Sequence, residues 1–137
     1  MQRTADINDS YINANYINSA LQVNDQAFIA TQGPLPQTKE NFWRMILKEN
    51  TSLIINLTKT KEHGKTKCDK YWPSEVGKSL NFTENEQQIE LILISSESLV
   101  ANLIKRKFKI INKKLNKEIR EIIQLNYLSW PDHGAPE

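Results

Sequence analysis

Five residues of the 137-residue chain, Trp130-Pro131-Asp132-His133-Gly134, combine an acid with two residues that shape a loop. A carboxylic acid held beside a leaving group can donate a proton to it, which typically contributes about 10²–10⁴ in rate. Pro131 restricts its own torsion and that of Trp130, while Gly134 permits the torsion change of a hinge. An aspartate in such a turn is also common without any catalytic role. Other segments of the chain are needed to distinguish a catalytic aspartate from an ordinary turn aspartate.

Cys68 is the single cysteine of the chain and therefore the first residue to consider as a nucleophile. It lacks a following glycine-rich turn and an arginine that could bind phosphate, the features expected around a reactive thiolate. We interpret it as a packed thiol. One cysteine also excludes an internal disulfide framework. His63 and His133 form no metal-binding pattern, and there is no glycine-rich nucleotide loop, so no cofactor is expected.

Five segments of the chain resemble motifs of the protein tyrosine phosphatase (PTP) domain. They read Tyr-Ile-Asn-Ala-Asn-Tyr-Ile at 11–17, Phe-Ile-Ala-Thr-Gln-Gly-Pro-Leu-Pro at 28–36, Asn-Phe-Trp-Arg-Met at 41–45, Glu-x-Gly-x-x-Lys-Cys-x-x-Tyr-Trp-Pro at 62–73 and Trp-Pro-Asp-His-Gly-x-Pro at 130–136. Each is similar to a motif of that family, and they follow in the family's order. The resemblance extends from about residue 8 to residue 137.

The resemblance implies roles for individual residues. Asp132 matches the general acid that protonates the phenolate leaving group of phosphotyrosine, and that later activates water against a cysteine phosphoenzyme. The other residues of this general-acid loop are Trp130, Pro131, His133 and Gly134. Glu62 matches the acid that pairs with the phosphate-binding arginine, which needs such a partner to hold its planar fork in place. Lys67 matches a residue at the rim of the active site.

Two parts of the family's pattern have no match within residues 1–137. One is the His-Cys-x-x-Gly-x-x-Arg loop with the nucleophile and the arginine on which the role of Glu62 depends. The other is the Asn-Arg-Tyr loop that lines the phosphotyrosine pocket. We therefore expect a partial PTP domain, in which apolar strands such as Leu53–Leu57 and Ile89–Ile94 lose partners and cover. We expect it to be inactive alone, although the whole domain would hydrolyse phosphotyrosine in proteins.

Two other interpretations remain open. The chain is also compatible with a truncated pseudophosphatase acting as a binding or scaffold module, or with a decayed gene product. Under the phosphatase interpretation the partner is a phosphotyrosine-containing protein, with no nucleic acid and no membrane contact from this segment. The expected location is the cytoplasm, or the cytoplasmic portion of a receptor-type protein, and the chain contains no apolar stretch of membrane-spanning length.

Charge adds little to the functional prediction. The formal net charge is +2, with a local run of lysines between Lys105 and Lys117. Such a run could indicate an acidic partner, but the solvated strands of a β-hairpin explain it more simply.

The apolar pattern predicts an α+β fold, a twisted mixed β-sheet with flanking helices. The predicted strands are Tyr11–Ile17, Ala27–Thr31, Leu53–Leu57, Ile89–Ile94, Leu103–Ile111 and Glu118–Leu128. We predict that Leu53–Leu57 is buried on both faces, because it is a short, uninterrupted apolar run. The segment from Thr58 to Lys70 is predicted to be a loop.

One helix is predicted between Thr38, as its N-cap, and a point near Asn50. Its apolar face, which includes Trp43, is expected in the core together with Trp72, and Glu40 and Arg44 are expected to pair on its surface. Asn13 and Gln32 are expected to make side-chain hydrogen bonds that fix neighbouring loops, with no catalytic role.

Overall fold

The computed structural model describes residues 12–17, 28–57, 61–62, 65–66, 70–82 and 88–129. The elements within these ranges are β1 (Ala14–Ile17), β2 (Phe28–Thr31), α1 (Lys39–Lys48), β3 (Leu53–Asn56), β4 (Lys61–Glu62), β5 (Lys65–Thr66), β6 (Ser79–Phe82), β7 (Ile89–Val100), β8 (Leu103–Asn112) and β9 (Lys117–Tyr127). Strands β3, β9, β8, β7 and β6 form one sheet in that order, with β3 parallel to β9 and the other pairs antiparallel. A mixed sheet flanked by a helix confirms the predicted α+β fold.

The core lies between α1 and one face of the β7–β8–β9 meander. Alternation along the strands turns Leu91, Phe108 and Ile122 toward this face, where they are fully buried. Trp43 on the helix meets Phe108 edge-to-face, with the ring centroids 5.6 Å apart. The predicted core positions of Trp43 and Trp72 are confirmed, since both are buried.

The helix has the predicted limits but a different first turn. Thr38 occupies the N-cap position, yet its hydroxyl makes no capping hydrogen bond to the helix. It accepts one instead from the backbone N–H of Leu35 at 2.9 Å, which closes the turn before the helix. After Lys48 the chain turns at Asn50, whose φ of 53° is in the left-handed region that ends many helices.

The Glu40–Arg44 pair forms as predicted, but its surface position is wrong. Arg44 is buried, as are its helix neighbours Phe42, Trp43, Met45 and Ile46. The helix is therefore enclosed on more than its apolar face.

Strand β3 is not buried on both faces as predicted. Ile54 and Asn56 are buried, whereas Leu53 and Ile55 are 48% and 64% exposed. The physical reason is incomplete cover: β3 is an end strand of the described sheet, and Leu53 and Ile55 line a cleft that the described residues leave open. An apolar run predicts a buried strand only when elements cover both of its faces.

The structure also contains strands that were not predicted, and one strand that is longer than predicted. Within the predicted loop 58–70, β4 and β5 form a short antiparallel pair. Strand β6 was not predicted, and β7 continues to Val100 through a register shift after Leu93. The predicted hairpin of β8 and β9 is confirmed, and each of its four strand ends agrees with the prediction to within one residue. Its lysines face carboxylates across the strands, with Lys107 and Lys109 3.4 Å from Glu121 and Glu118, in keeping with solvated strands.

Candidate active site

Most of the predicted catalytic residues lie outside the described residues. This group comprises Trp130, Pro131, Asp132, His133, Gly134 and Lys67. Cys68, which we interpret as a packed thiol, also lies outside the described residues. Glu62 lies in β4, where its backbone pairs with that of Lys65. The roles of these residues therefore stay predictions, and the described residues define the framework from which their segments depart.

That framework is the parallel pair of β3 and β9. Asn56 on β3 is the register partner of Asn126 on β9, and the two strands run in the same direction. Glu62 follows Asn56 by six positions, and Asp132 follows Asn126 by six positions. Because the carboxyl ends of parallel strands meet at one edge, both segments leave the sheet side by side. In open sheets with parallel strands, ligands bind at such an edge.

A hydrogen bond from the side chain of Asn126 to the backbone of Asn56 ties the two strand ends together. The Asn126 amide donates from Nδ2 to the backbone oxygen of Asn56 at 3.1 Å. Its Oδ1 accepts a hydrogen bond of 3.0 Å from Nη1 of Arg106 on β8. The orientation of the Asn126 amide is therefore fixed from both sides, since turning it over would place acceptor against acceptor and donor against donor.

A second buried amide lies two residues earlier on the same face of β9. Gln124 is 0% exposed, accepts from Arg106 Nη1 at 2.9 Å, and donates from Nε2 to the Tyr71 hydroxyl at 2.8 Å. The indole of Trp43 donates to the backbone oxygen of Tyr71 at 2.7 Å. These bonds fasten residues 70–73, which follow Lys67 and Cys68 in the sequence, to the helix and to β9.

The guanidinium of Arg106 lies over the ring of Trp72, 4.7 Å from the ring centroid. Burial lowers the pKa of Arg106, and the nearby Tyr71 partly opposes that change. An arginine stays protonated in proteins despite such a shift. Stacking and two amide acceptors therefore hold a permanent cation near the end of β9, the strand that precedes Asp132 in the sequence.

The turn between β7 and β8 supports the same strand end. The backbone N–H of Leu128, two positions before Trp130, donates to the backbone oxygen of Asn102 at 2.7 Å. Asn102 has a φ of 62°, which asparagine adopts more readily than most residues. The end of β9 is thus fixed by the side-chain hydrogen bonds of Asn126 and by the backbone hydrogen bond of Leu128, which follows the strand.

Sequence reasoning missed Arg106, Gln124 and Asn126. The available signal was the alternation on β9, where Ile122 is followed at two-residue intervals by two amides on the core-facing side. Burying an amide is costly unless it is hydrogen-bonded, so a pair of amides in such a register indicates a buried polar network.

The predicted hydrogen bonds of Asn13 and Gln32 are confirmed. Nδ2 of Asn13 donates to Oε1 of Gln32 at 3.2 Å, and the Gln32 backbone N–H donates to the Asn13 oxygen at 3.3 Å. These bonds extend the β1–β2 pair by one rung.

Within the described ranges, no helix is both long and apolar enough to cross a membrane.

Comparison with known proteins identifies the family. The family model described as protein-tyrosine phosphatase matches residues 1–137. The chain is 40% identical over 127 residues to mouse receptor-type tyrosine-protein phosphatase F, covering 93% of the chain and 6% of that protein. It is 40% identical over 131 residues to the chicken receptor-type phosphatase S, covering 96% of the chain and 8% of that protein.

Solved structures agree with these relatives. The catalytic domain of human protein tyrosine phosphatase non-receptor type 18 superimposes with a TM-score of 0.77 at 32% identity, covering 92% of this chain and 42% of that one. A complex of that phosphatase with HER2 phosphopeptides gives a TM-score of 0.79 at 33% identity, with coverage of 92% and 43%. The chain thus spans less than half of the solved domains and a tenth or less of the curated relatives. The chain belongs to the protein-tyrosine phosphatase family.

Proposed function

We propose that residues 1–137 are the part of a tyrosine phosphatase domain that supplies the general acid, Asp132, for hydrolysis of phosphotyrosine in proteins. The observation that carries this proposal is the parallel pairing of β3 with β9. It brings the segment with Glu62 and the segment with Asp132 out of the sheet at the same edge. A common origin at adjacent strand ends supports a role for both residues in one site.

The chemistry follows from the family's two-step reaction. A cysteine thiolate outside these 137 residues attacks phosphorus and forms a P–S bond as the P–O bond to the tyrosine oxygen breaks. Asp132 donates its proton to that oxygen, whose conjugate acid has a pKa of about 10. As a carboxylate, Asp132 then takes a proton from the water that attacks phosphorus. The P–S bond breaks in this step, which releases inorganic phosphate and regenerates the cysteine thiolate.

The surrounding residues have distinct parts in this proposal. Trp130, Pro131, His133 and Gly134 form the loop that closes and brings Asp132 over the bound phosphate. Glu62 holds the phosphate-binding arginine, and Lys67 lies at the rim of the pocket. The substrate is a phosphotyrosine-containing protein, and the site works in the cytoplasm or in the cytoplasmic portion of a receptor-type protein.

We propose further that the domain is larger than these 137 residues. Leu53 and Ile55 on β3, and Phe28 on β2, are exposed beside a cleft of about 450 Å³ that they line together with the helix. An exposed apolar face next to an end strand is a liability in an isolated domain. The remainder of a phosphatase domain would cover it, and a polypeptide of these residues alone would fold poorly.

The test uses an extended chain, in which residues 1–137 continue through a His-Cys-x-x-Gly-x-x-Arg loop. The continuation comes from the chain's own coding sequence or from the human non-receptor type 18 domain. Turnover is measured over a series of aryl phosphates for the parent and for Asp132→Ala. We expect a loss of about 10²–10⁴ in kcat for phosphotyrosine and a small loss for substrates with acidic leaving phenols.

Binding distinguishes the two parts of this proposal. Asp132→Ala should still bind a phosphotyrosine peptide, because the carboxylate does not anchor the phosphate. Equal losses of kcat for all leaving groups would mean that Asp132 positions the loop and donates no proton. Phosphopeptide binding by a complete domain that shows no turnover at all would favour the scaffold function instead.

A further inference from the structure

The side-chain amide of Asn126 joins the two strands that carry the proposed catalytic segments. We propose that Asn126, oriented by Arg106, is a positioning residue that sets where the general-acid loop leaves the sheet. This inference rests on the proposed function of Asp132 and assigns a role to a residue outside the loop itself.

The first argument is that Asn126 has no reason to be polar if it serves packing alone. It is buried on the core-facing side of β9, on the same side as Ile122. An apolar residue there would avoid the desolvation of an amide. Packing therefore does not explain an amide at this position. The hydrogen bonds of the amide do.

The second argument is what the amide connects. Its donor reaches the Asn56 backbone oxygen on β3, and its acceptor meets Arg106 on β8. It thereby couples β3, β8 and β9 at the point where β3 leads to Glu62 and β9 leads to Asp132. Gln124 binds Arg106 as well, but its donor goes to Tyr71 and makes no described bond to β3.

The third argument is leverage. Asp132 follows Asn126 by only six positions, so a change in the direction in which β9 ends would shift the point from which its segment departs. A misplacement of about 1 Å in a catalytic group can cost about 10²-fold in rate. A loop that must close reproducibly over a phosphate needs a fixed point of departure, and the Asn126 amide supplies one.

The test compares Asn126→Leu with the matched control Gln124→Leu in the extended chain. Both replacements remove a buried amide from the same face of β9, so both should lower thermal stability. We expect Asn126→Leu to lower kcat by about 10- to 100-fold for phosphotyrosine and by less than threefold for acidic leaving phenols. Gln124→Leu keeps the bond from Asn126 to β3, so any loss of kcat that it causes should be similar for all leaving groups. The leaving-group dependence of Asn126→Leu is the readout that general destabilisation would not produce.

A double variant tests whether the effect passes through the general acid. If Asn126 acts by positioning Asp132, then Asn126→Leu should cost little further kcat in an Asp132→Ala background. Multiplying losses, or equal losses for all leaving groups, would overturn the inference. Should Asn126→Leu not fold, Asn126→Asp keeps the contact with Arg106 and removes the donor toward Asn56. It should reproduce the leaving-group dependence, and parent-like kinetics would refute the role.

The controls separate this inference from the proposed function. If Asp132→Ala itself lacks leaving-group dependence, the proposed function fails. If Asp132→Ala shows that dependence and neither Asn126 variant does, only the positioning role of Asn126 fails.

Discussion

The buried bond between Gln124 and the Tyr71 hydroxyl predicts a specific loss of stability for Tyr71→Phe. The variant keeps the ring that packs against Phe42 and Trp72, with centroids 4.7 and 4.8 Å away, and removes only the oxygen that accepts from Gln124 at 2.8 Å. Gln124 is 0% exposed, so water cannot replace that oxygen without a rearrangement. Leaving a buried donor unsatisfied costs about 1–3 kcal/mol.

The assay is urea-induced unfolding of the extended chain, followed by tryptophan fluorescence. With a slope of about 2 kcal/mol/M, a loss of about 2 kcal/mol shifts the unfolding midpoint by about 1 M. Tyr16→Phe is the matched control, because its hydroxyl donates to Glu49 at 2.5 Å in a part-buried site. Solvent can replace the lost donor there, so no buried group is left unsatisfied and we expect a smaller loss than for Tyr71→Phe.

A double variant decides whether the hydrogen bond is the cause. Gln124→Leu should also lower the free energy of unfolding. It removes the amide that donates to the Tyr71 hydroxyl and the oxygen that accepts from Arg106. Tyr71→Phe combined with Gln124→Leu should cost less than the sum of the two single changes, by about 1 kcal/mol. Strict additivity, or a Tyr71→Phe loss no larger than that of Tyr16→Phe, would refute this reasoning.

Two further predictions concern the helix end and the exposed face. Arg120 donates from Nη2 to the backbone oxygens of Ile46 at 2.8 Å and Leu47 at 3.3 Å, placing a cation at the carboxyl end of α1. Arg120→Met should therefore cost about 1–2 kcal/mol in urea unfolding, with Arg120→Lys in between; equal stability of all three chains would contradict this. Ile55→Ser should reduce aggregation of the 137-residue polypeptide, measured by light scattering, yet destabilise the extended chain by about 2 kcal/mol or more, because the larger domain is proposed to cover this side chain. Ile54→Ser is the control and should destabilise both, and an Ile55→Ser that is harmless in the extended chain would count against the larger domain.

The parts of the fold that the sequence predicts best are those with strong local periodicity. The hairpin of β8 and β9 was predicted closely, because apolar, strand-forming residues recur along the 10 residues of β8 and the 11 residues of β9. The helix was predicted for the same reason, as Phe42, Trp43 and Ile46 fall on one side of a 3.6-residue repeat.

The parts that failed depend on contacts distant in sequence. Whether Ile55 is covered depends on which element packs against β3, and its own neighbours in the chain carry no information on that. The bond from Asn126 to Asn56 joins residues 70 positions apart. The alternation along β9 could indicate that Asn126 faces the core, but only the register of β3 and β9 shows that its partner is Asn56.

The catalytic residues were predicted in a different way. Asp132, its loop, Glu62 and Lys67 were identified by resemblance to a family motif, and that family is now established by the match over residues 1–137. The described framework adds the parallel strand pair from which the two segments depart. Their mutual geometry remains a prediction.

The most direct test of the central claim is turnover of a phosphotyrosine peptide by two chains measured side by side. One is the polypeptide of residues 1–137, and the other is the extended chain with the cysteine–arginine loop. We predict no release of phosphate above buffer from the first and phosphatase turnover from the second, with Cys68→Ser leaving the second unchanged. Turnover by residues 1–137 alone that Cys68→Ser abolishes would contradict the account, because the nucleophile would then lie within this segment.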